Sequence, residues 1–322
     1  DGHWDSPDLA HLLTVIAANQ GALERAFIGR AWVQRLLRLR HWLNANTRRQ
    51  ARKNIAAHYD LGNDFYALWL DRTMTYSSAL FEGASDRALD RAQQAKYDRL
   101  LGELALAPGS RVLEIGCGWG GFVETAARAG HHVAGISLSE RQTAFARERL
   151  ARSGLADRAD LRLQDYRDVR GRYDGVASIE MFEAVGEKYW PTYFDAVRDA
   201  LAPGARACIQ AITIAEDRFE RYRTQSDFIQ QYIFPGGMLA SPSRLVAEAE
   251  RAGLRVVRSL RFGRDYGETL KRWLAAFDAN AGTIAARFDG AFVRCWRFYL
   301  AYCAAGFDSE TTDVGQYTFE RA

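Results

Sequence analysis

Between residues 108 and 214 short apolar runs alternate with amphipathic ones. Arg111–Ile115, His132–Ser137, Asp160–Leu163, Tyr173–Ile179 and Arg206–Ile214 have the length and content of buried strands. Phe122–Ala129, a stretch from Ser139 to about Arg152, and Tyr189–Ala200 place apolar residues at helical spacing. Ser139 reads as a helix N-cap and Pro203-Gly204 as a helix stop. This alternation predicts an α/β fold, a mostly parallel sheet with helices on both faces. Such sheets bind ligands beyond the carboxyl ends of their strands. Here those ends carry Glu114–Gly120, Ser137, Asp165 and Ile179–Glu183.

The first fifty residues have a different pattern. Ser6-Pro7-Asp8 predicts a helix start with proline early in the first turn, leading into Leu9–Asn19. Ile28, Trp32, Leu36, Leu39 and Leu43 then recur at steps of four, four, three and four, one face of a helix. From Arg25 to Lys53 nine basic residues occur without an acid. Such a helix fits the headgroup region of an anionic membrane, and equally a helix packed on its own catalytic domain with a solvated basic back. The segmentation predicts a small helical accessory domain at residues 1–50 and a larger domain at 51–322.

Composition changes this picture little. At 322 residues a prior of roughly two domains applies. A net charge of +3 is too even to predict nucleic-acid binding by the whole protein. Cys117, Cys208, Cys295 and Cys303 form no CxxC pair, which disfavours a disulfide scaffold or zinc ribbon and fits a reducing compartment. No metal site is expected, and no apolar run approaches the ~18 residues of a membrane span.

Glu114-Ile115-Gly116-Cys117-Gly118-Trp119-Gly120 sets a carboxylate at a strand end, followed by glycines where backbone must approach a ligand. A dinucleotide site needs an acid at the end of the second strand for a ribose, and that position is Ser137. Glu114 beside the loop suits a cation. S-adenosylmethionine carries an ammonium and a sulfonium, so it is the predicted ligand.

Several further segments carry a resemblance. They are His58–Tyr66, Thr75–Phe81, Val112–Gly121, Ile136–Gln142, Gln164–Asp168, Ser178–Gly186, Tyr232–Gly237, Asp265–Leu270 and Tyr299–Phe307. From about Asn54 onward the chain resembles the cyclopropane-fatty-acyl-phospholipid synthase and mycolic-acid methyltransferase family. The N-terminal helices are similar to the accessory domain of its bacterial members. The resemblance implies a Rossmann-like class I methyltransferase fold and methyl transfer from S-adenosylmethionine to the double bond of an unsaturated acyl chain of a membrane phospholipid, giving a cyclopropane. It implies cofactor contacts from Tyr59, Tyr76, Ser77, Gly116, Cys117 and Gly118, ribose contacts from Ser137 and Gln142, and Asp165 and Tyr166 beside the adenine.

An alkene is a poor nucleophile, so its attack on a sulfonium methyl needs alignment and a dry pocket. The resulting carbocation must then lose a proton to a base. By resemblance that base is a bound bicarbonate, held by Glu183 and Tyr266, with Cys303 matching a further family cysteine. Two positions depart from the common family pattern: Ser78 stands for cysteine, leaving its backbone N–H as donor, and Gln210 stands for histidine, a neutral amide donor. The second departure leaves open a methylene- or methyl-branched product. A small-molecule methyltransferase and a lipid-binding relative without catalysis are the competing functions. Residues 215–240, long for a connection, read as an acyl-channel insertion or an oligomer contact, and a homodimer is compatible with the sequence. The expected location is cytoplasmic, peripheral to the inner membrane face.

Overall fold

The computed structural model describes residues 6–19, 47, 50, 61–84, 86–225 and 227–321. The basic helical run and Tyr59 lie outside the described residues. Five parallel strands form the predicted core: β1 (Arg111–Ile115), β2 (His132–Ser137), β3 (Ala159–Leu163), β4 (Tyr173–Ile179) and β5 (Leu201–Ile214). Two strands that the periodicity does not predict complete the sheet, β6 (Leu254–Arg261) and β7 (Thr312–Arg321), and β7 runs antiparallel to both of its neighbours. The order is β3-β2-β1-β4-β5-β7-β6. β7 therefore lies inside the sheet, and its buried polar residues Gln316 and Thr318 break the apolar run that would have marked it.

Helices cover both faces. α2 (Leu89–Glu103), α3 (Gly121–Arg128) and α4 (Glu140–Arg152) pack one side through Leu100, Phe122, Val123 and Leu150. α5 (Trp190–Ala200) and α7 (Pro242–Arg251) pack the other through Trp190, Phe194, Val197 and Leu245. Ser139 caps α4 as expected, its hydroxyl accepting from the Gln142 N–H. β5 begins at Leu201 rather than Arg206, because an irregular register between Tyr173 and Gly175 absorbs the Pro203-Gly204 turn.

A third, aromatic layer comprises the turn Asn63–Tyr66, α8 (Gly263–Ala279), α9 (Ala281–Arg287) and α10 (Gly290–Asp308), while α6 (Glu216–Tyr222) packs Phe219 on Trp190 of α5. Phe65 meets Trp296 and Trp69 meets Trp273 there edge to face, with ring centroids 4.9 Å apart for Phe65 and Trp296, while Trp69 and Trp296 are tilted. α1 (Leu9–Ala18) joins this layer through Leu9 and Ala10. Asp8 is its cap, accepting from the His11 N–H, so Pro7 precedes the helix instead of entering its first turn.

Candidate active site

The glycine loop and the aromatic layer share one cavity of about 740 Å³. Its floor is Glu114, Gly116, Gly118 and Trp119 after β1, with Ser137 after β2. Its far walls include Phe234, Leu270, Tyr299 and Phe307. Gly118 has φ +49°, and a Cβ there would enter open space, its nearest neighbour Gln142 Nε2 at 3.9 Å. The loop thus leaves a hollow against backbone. Glu114 is buried beside it, with Oε2 unpartnered among the described residues. Burial pushes its carboxyl up to about 8, against the pull of Lys96. A buried acid with one oxygen unpartnered among the described residues, at a glycine cradle, fits a ligand with an ammonium group.

Most expected cofactor residues line this cavity: Tyr76, Ser77, Cys117, Gln142 and Tyr166 join the floor residues above. Asp165 does not. Its carboxylate accepts from the Arg167 backbone N–H and guanidinium at 3.0, 2.8 and 2.6 Å, and Gln164 and Tyr166 form the wall there. The Ser77 hydroxyl accepts from Lys96 Nζ at 2.6 Å, and the Tyr76 hydroxyl pairs with that of Tyr299 at 2.7 Å. Cys303 lines the cavity, and burial raises its thiol.

The expected base site is built differently from the sequence reading. Three donors assigned there do converge: the Ser78 backbone N–H, the Gln210 amide and the Tyr266 hydroxyl. What they hold is the carboxylate of Glu180. Oε1 accepts from Ser78 at 2.9 Å and Gln210 at 2.8 Å, and Oε2 accepts from Tyr266 at 2.7 Å. Bicarbonate therefore does not fit on these donors, because a side chain of the protein already occupies them.

Glu183 is not in this cluster. It lies in the short 3-10 turn Phe182–Ala184, which turns its carboxylate onto the Ile212 backbone N–H of β5 and leaves Oε2 unpartnered among the described residues. Burial, then the neighbouring charge of Glu180, raises its carboxyl to about 8, so it is mainly protonated at neutral pH. The two acids thus sit in contrasting environments: Glu180 with three donors, Glu183 with one.

Sequence reasoning missed two residues. Glu180 follows β4 directly and has φ +50°, a left-handed backbone that is costly for a residue with a Cβ. Lys96 is fully buried, donating to Ser77 and to Gln93 at 2.7 Å. Burial depresses its ammonium, and the charge of Glu180 pulls it back up. An acid at a strand end was the available signal for Glu180, and Lys96 had none. Behind the cluster, Gln316 Nε2 donates to Gln210 Oε1 at 3.1 Å, which turns the Gln210 amide nitrogen toward Glu180. Among the described residues no His/Cys/Asp/Glu group is arranged to hold a metal.

A seven-stranded sheet with one antiparallel strand beside β5, and a glycine cradle after β1 opening on an acid, defines a class I S-adenosylmethionine-dependent methyltransferase. Within that class the chain belongs to the mycolic acid cyclopropane synthetase family, which it matches over residues 46–317. It is 41% identical to a tuberculostearic acid methyltransferase of Mycobacterium tuberculosis, over 99% of this chain and 77% of that protein. It is 36% identical to the cyclopropane-fatty-acyl-phospholipid synthase of Escherichia coli, over 82% of this chain and 66% of that protein. Among solved structures, a mycolic acid cyclopropane synthase complexed with SAH and CTAB superposes with a TM-score of 0.78 at 32% identity, covering 84% of this chain and 98% of that one. The protein is a methyltransferase acting on lipid acyl chains.

Proposed function

We propose that the enzyme transfers the methyl group of S-adenosylmethionine to the double bond of an unsaturated fatty acyl chain carried by a membrane phospholipid. The observation that carries this reading is the single cavity joining the glycine cradle to an aromatic chamber with a buried carboxylate in its wall. The cradle and Glu114 would hold the methionine end of the cofactor, with Ser137 and Gln142 at the ribose. The aromatic wall keeps water from the carbocation and offers it π-faces. The segment 215–240 contributes apolar Ile229, Phe234, Met238 and Leu239 to the cavity, alongside charged Arg218, Arg221 and Asp227.

Large apolar side chains lie exposed beside the cavity. Ile16 of α1 and Tyr302 of α10 line it and are 42% and 36% exposed, and Tyr232 is 62% exposed. An acyl chain entering from a bilayer needs such a rim. No helix among the described residues is long and apolar enough to cross a membrane. On this reading the protein works at the cytoplasmic face, held by its basic N-terminal run (residues 1–50 forming the accessory domain).

Loss of a proton from the added methyl carbon closes a cyclopropane ring. A hydride shift before that loss leaves a methylene branch instead. The second outcome is favoured by Gln210 in place of the family histidine and by the tuberculostearic acid methyltransferase among the relatives. The test is proton NMR of lipid recovered from mono-unsaturated phospholipid vesicles incubated with enzyme and methyl-labelled cofactor. Ring methylene and vinylidene protons resonate apart, and absence of label from the acyl chains refutes the proposal.

A further inference from the structure

We propose that Glu180 is the catalytic base of this reaction, a carboxylate built into the chain where a free oxyanion would otherwise be bound. The inference rests on the proposed acyl-chain methylation. It needs no additional anion.

Three observations carry it. The first is the donor set. Ser78 N–H, Gln210 amide and Tyr266 hydroxyl come from three separate segments and meet on one carboxylate. Three donors fix its position and orientation, as a positioned base requires. The second is the backbone. At φ +50° the chain holds Glu180 in a conformation that glycine adopts freely and other residues adopt at a cost. That turn follows β4 at the cavity wall, and its strain is retained where it carries the carboxylate onto the donors. The third is charge. Fully buried Lys96 is among the cations acting on Glu180, and Glu183 beside it is held as the neutral acid at neutral pH. Burial raises the Glu180 carboxyl, and Tyr266, Lys96, Ser78 and Gln210 draw it back down.

The step balances without another reactant. The alkene π pair forms the new C–C bond to the methyl carbon, while the S–CH3 bond breaks and its pair stays on sulfur. The chain carries the positive charge. A C–H bond of the transferred methyl then breaks. Its proton goes to a Glu180 oxygen, and its electron pair closes the ring or, after a hydride shift, forms the exocyclic double bond. Tyr266 and Gln210 hold the carboxyl group in place throughout.

The experiment uses the full chain with mono-unsaturated phospholipid vesicles, in buffer stripped of carbon dioxide and in the same buffer with millimolar bicarbonate. Wild-type turnover should be equal in the two. Glu180→Gly should fall about 100-fold or more in stripped buffer, keep its S-adenosylhomocysteine affinity within a few-fold, and recover at least tenfold when bicarbonate or formate is added, because the emptied donors can hold a small oxyanion. Glu180→Gln, which preserves volume, should be inactive in both buffers. A wild-type enzyme that loses activity when carbon dioxide is removed overturns the inference, as does normal turnover by Glu180→Gln. If Glu180→Gly is not rescued at all, the donors are not an anion site and the inference fails. A wild-type enzyme that methylates no acyl chain in either buffer refutes the proposed function instead.

Discussion

Glu114 offers a quantitative test of how the cofactor is held. Its carboxyl sits near 8 because burial penalises the charged form. At pH 7 about nine in ten molecules carry it protonated. A ligand ammonium needs the carboxylate, so binding must expel that proton. Affinity for S-adenosylhomocysteine should therefore rise about tenfold per pH unit, about 1.4 kcal/mol, between about pH 6 and pH 7, and level off above about pH 8. Glu114→Gln should bind more weakly and with a flat pH profile. Titration calorimetry in two buffers of different ionisation heat would read both the affinity and the proton released. Stability should move the opposite way. A carboxyl raised above its unfolded value contributes stability that is full below about pH 4 and is lost as pH rises through 8. Glu114→Gln should thus gain on wild type across that window, by up to about 3 kcal/mol at pH 7, in urea melts of the unliganded protein. Affinity unchanged between pH 6 and pH 8, with no proton released, would refute the assignment of Glu114 to the ligand cation.

Four other outcomes follow from the same structure. Gly118→Val should abolish S-adenosylhomocysteine binding while the thermal unfolding transition stays cooperative, since the side chain would fill the hollow at φ +49°; affinity within a few-fold of wild type would contradict it. Glu183→Gln should keep turnover within about threefold at pH 7, because the amide imitates an acid already protonated there; a 100-fold loss in the vesicle assay would restore Glu183 to the role the sequence suggested. Trp273→Ala should cost about 3–5 kcal/mol in denaturant melts, as a fully buried indole packed on Trp69, Tyr76 and Tyr266 is removed. Vesicle co-sedimentation should require anionic lipid and fall with salt, at about 1 kcal/mol per engaged basic residue of Arg25–Lys53; equal binding to neutral vesicles would exclude that role.

Strands β1 to β5 and helices α3 to α5 were legible in the sequence because apolar residues at strand or helix spacing there meet local signals: Pro108-Gly109 before β1, the Ser139 cap, Pro203-Gly204 after α5. β6 and β7 were not. Their pairing joins residues far apart in the chain, and Gln316 and Thr318 are buried for hydrogen bonding rather than for hydrophobicity. At the site, family motifs named Ser78, Gln210 and Tyr266 around a bound bicarbonate; in the structure all three donate to the Glu180 side chain. Glu180 and Glu183 are three residues apart after one strand, and which of them faces the donors depends on the left-handed turn at 180 and the 3-10 turn behind it. Neither conformation follows from composition or periodicity. Lys96 was hidden for a related reason: a lysine on a helix normally reads as solvated, and only tertiary packing shows it enclosed with Ser77 and Gln93.

The antiparallel insertion of β7 between β5 and β6 gives the site a temporal order. Gln210 is aimed at Glu180 by Gln316, 106 residues later in the chain. A nascent chain emerging from the ribosome could close β1 to β5 and shape the glycine cradle well before Gln316 is synthesised. At that stage the cradle would be formed but the proton acceptor would not yet be aligned. Methyl transfer to a double bond makes a carbocation that an unaligned base would leave to side reactions. Placing the last brace of the base on the final strand of the sheet ties the onset of chemistry to completion of the fold.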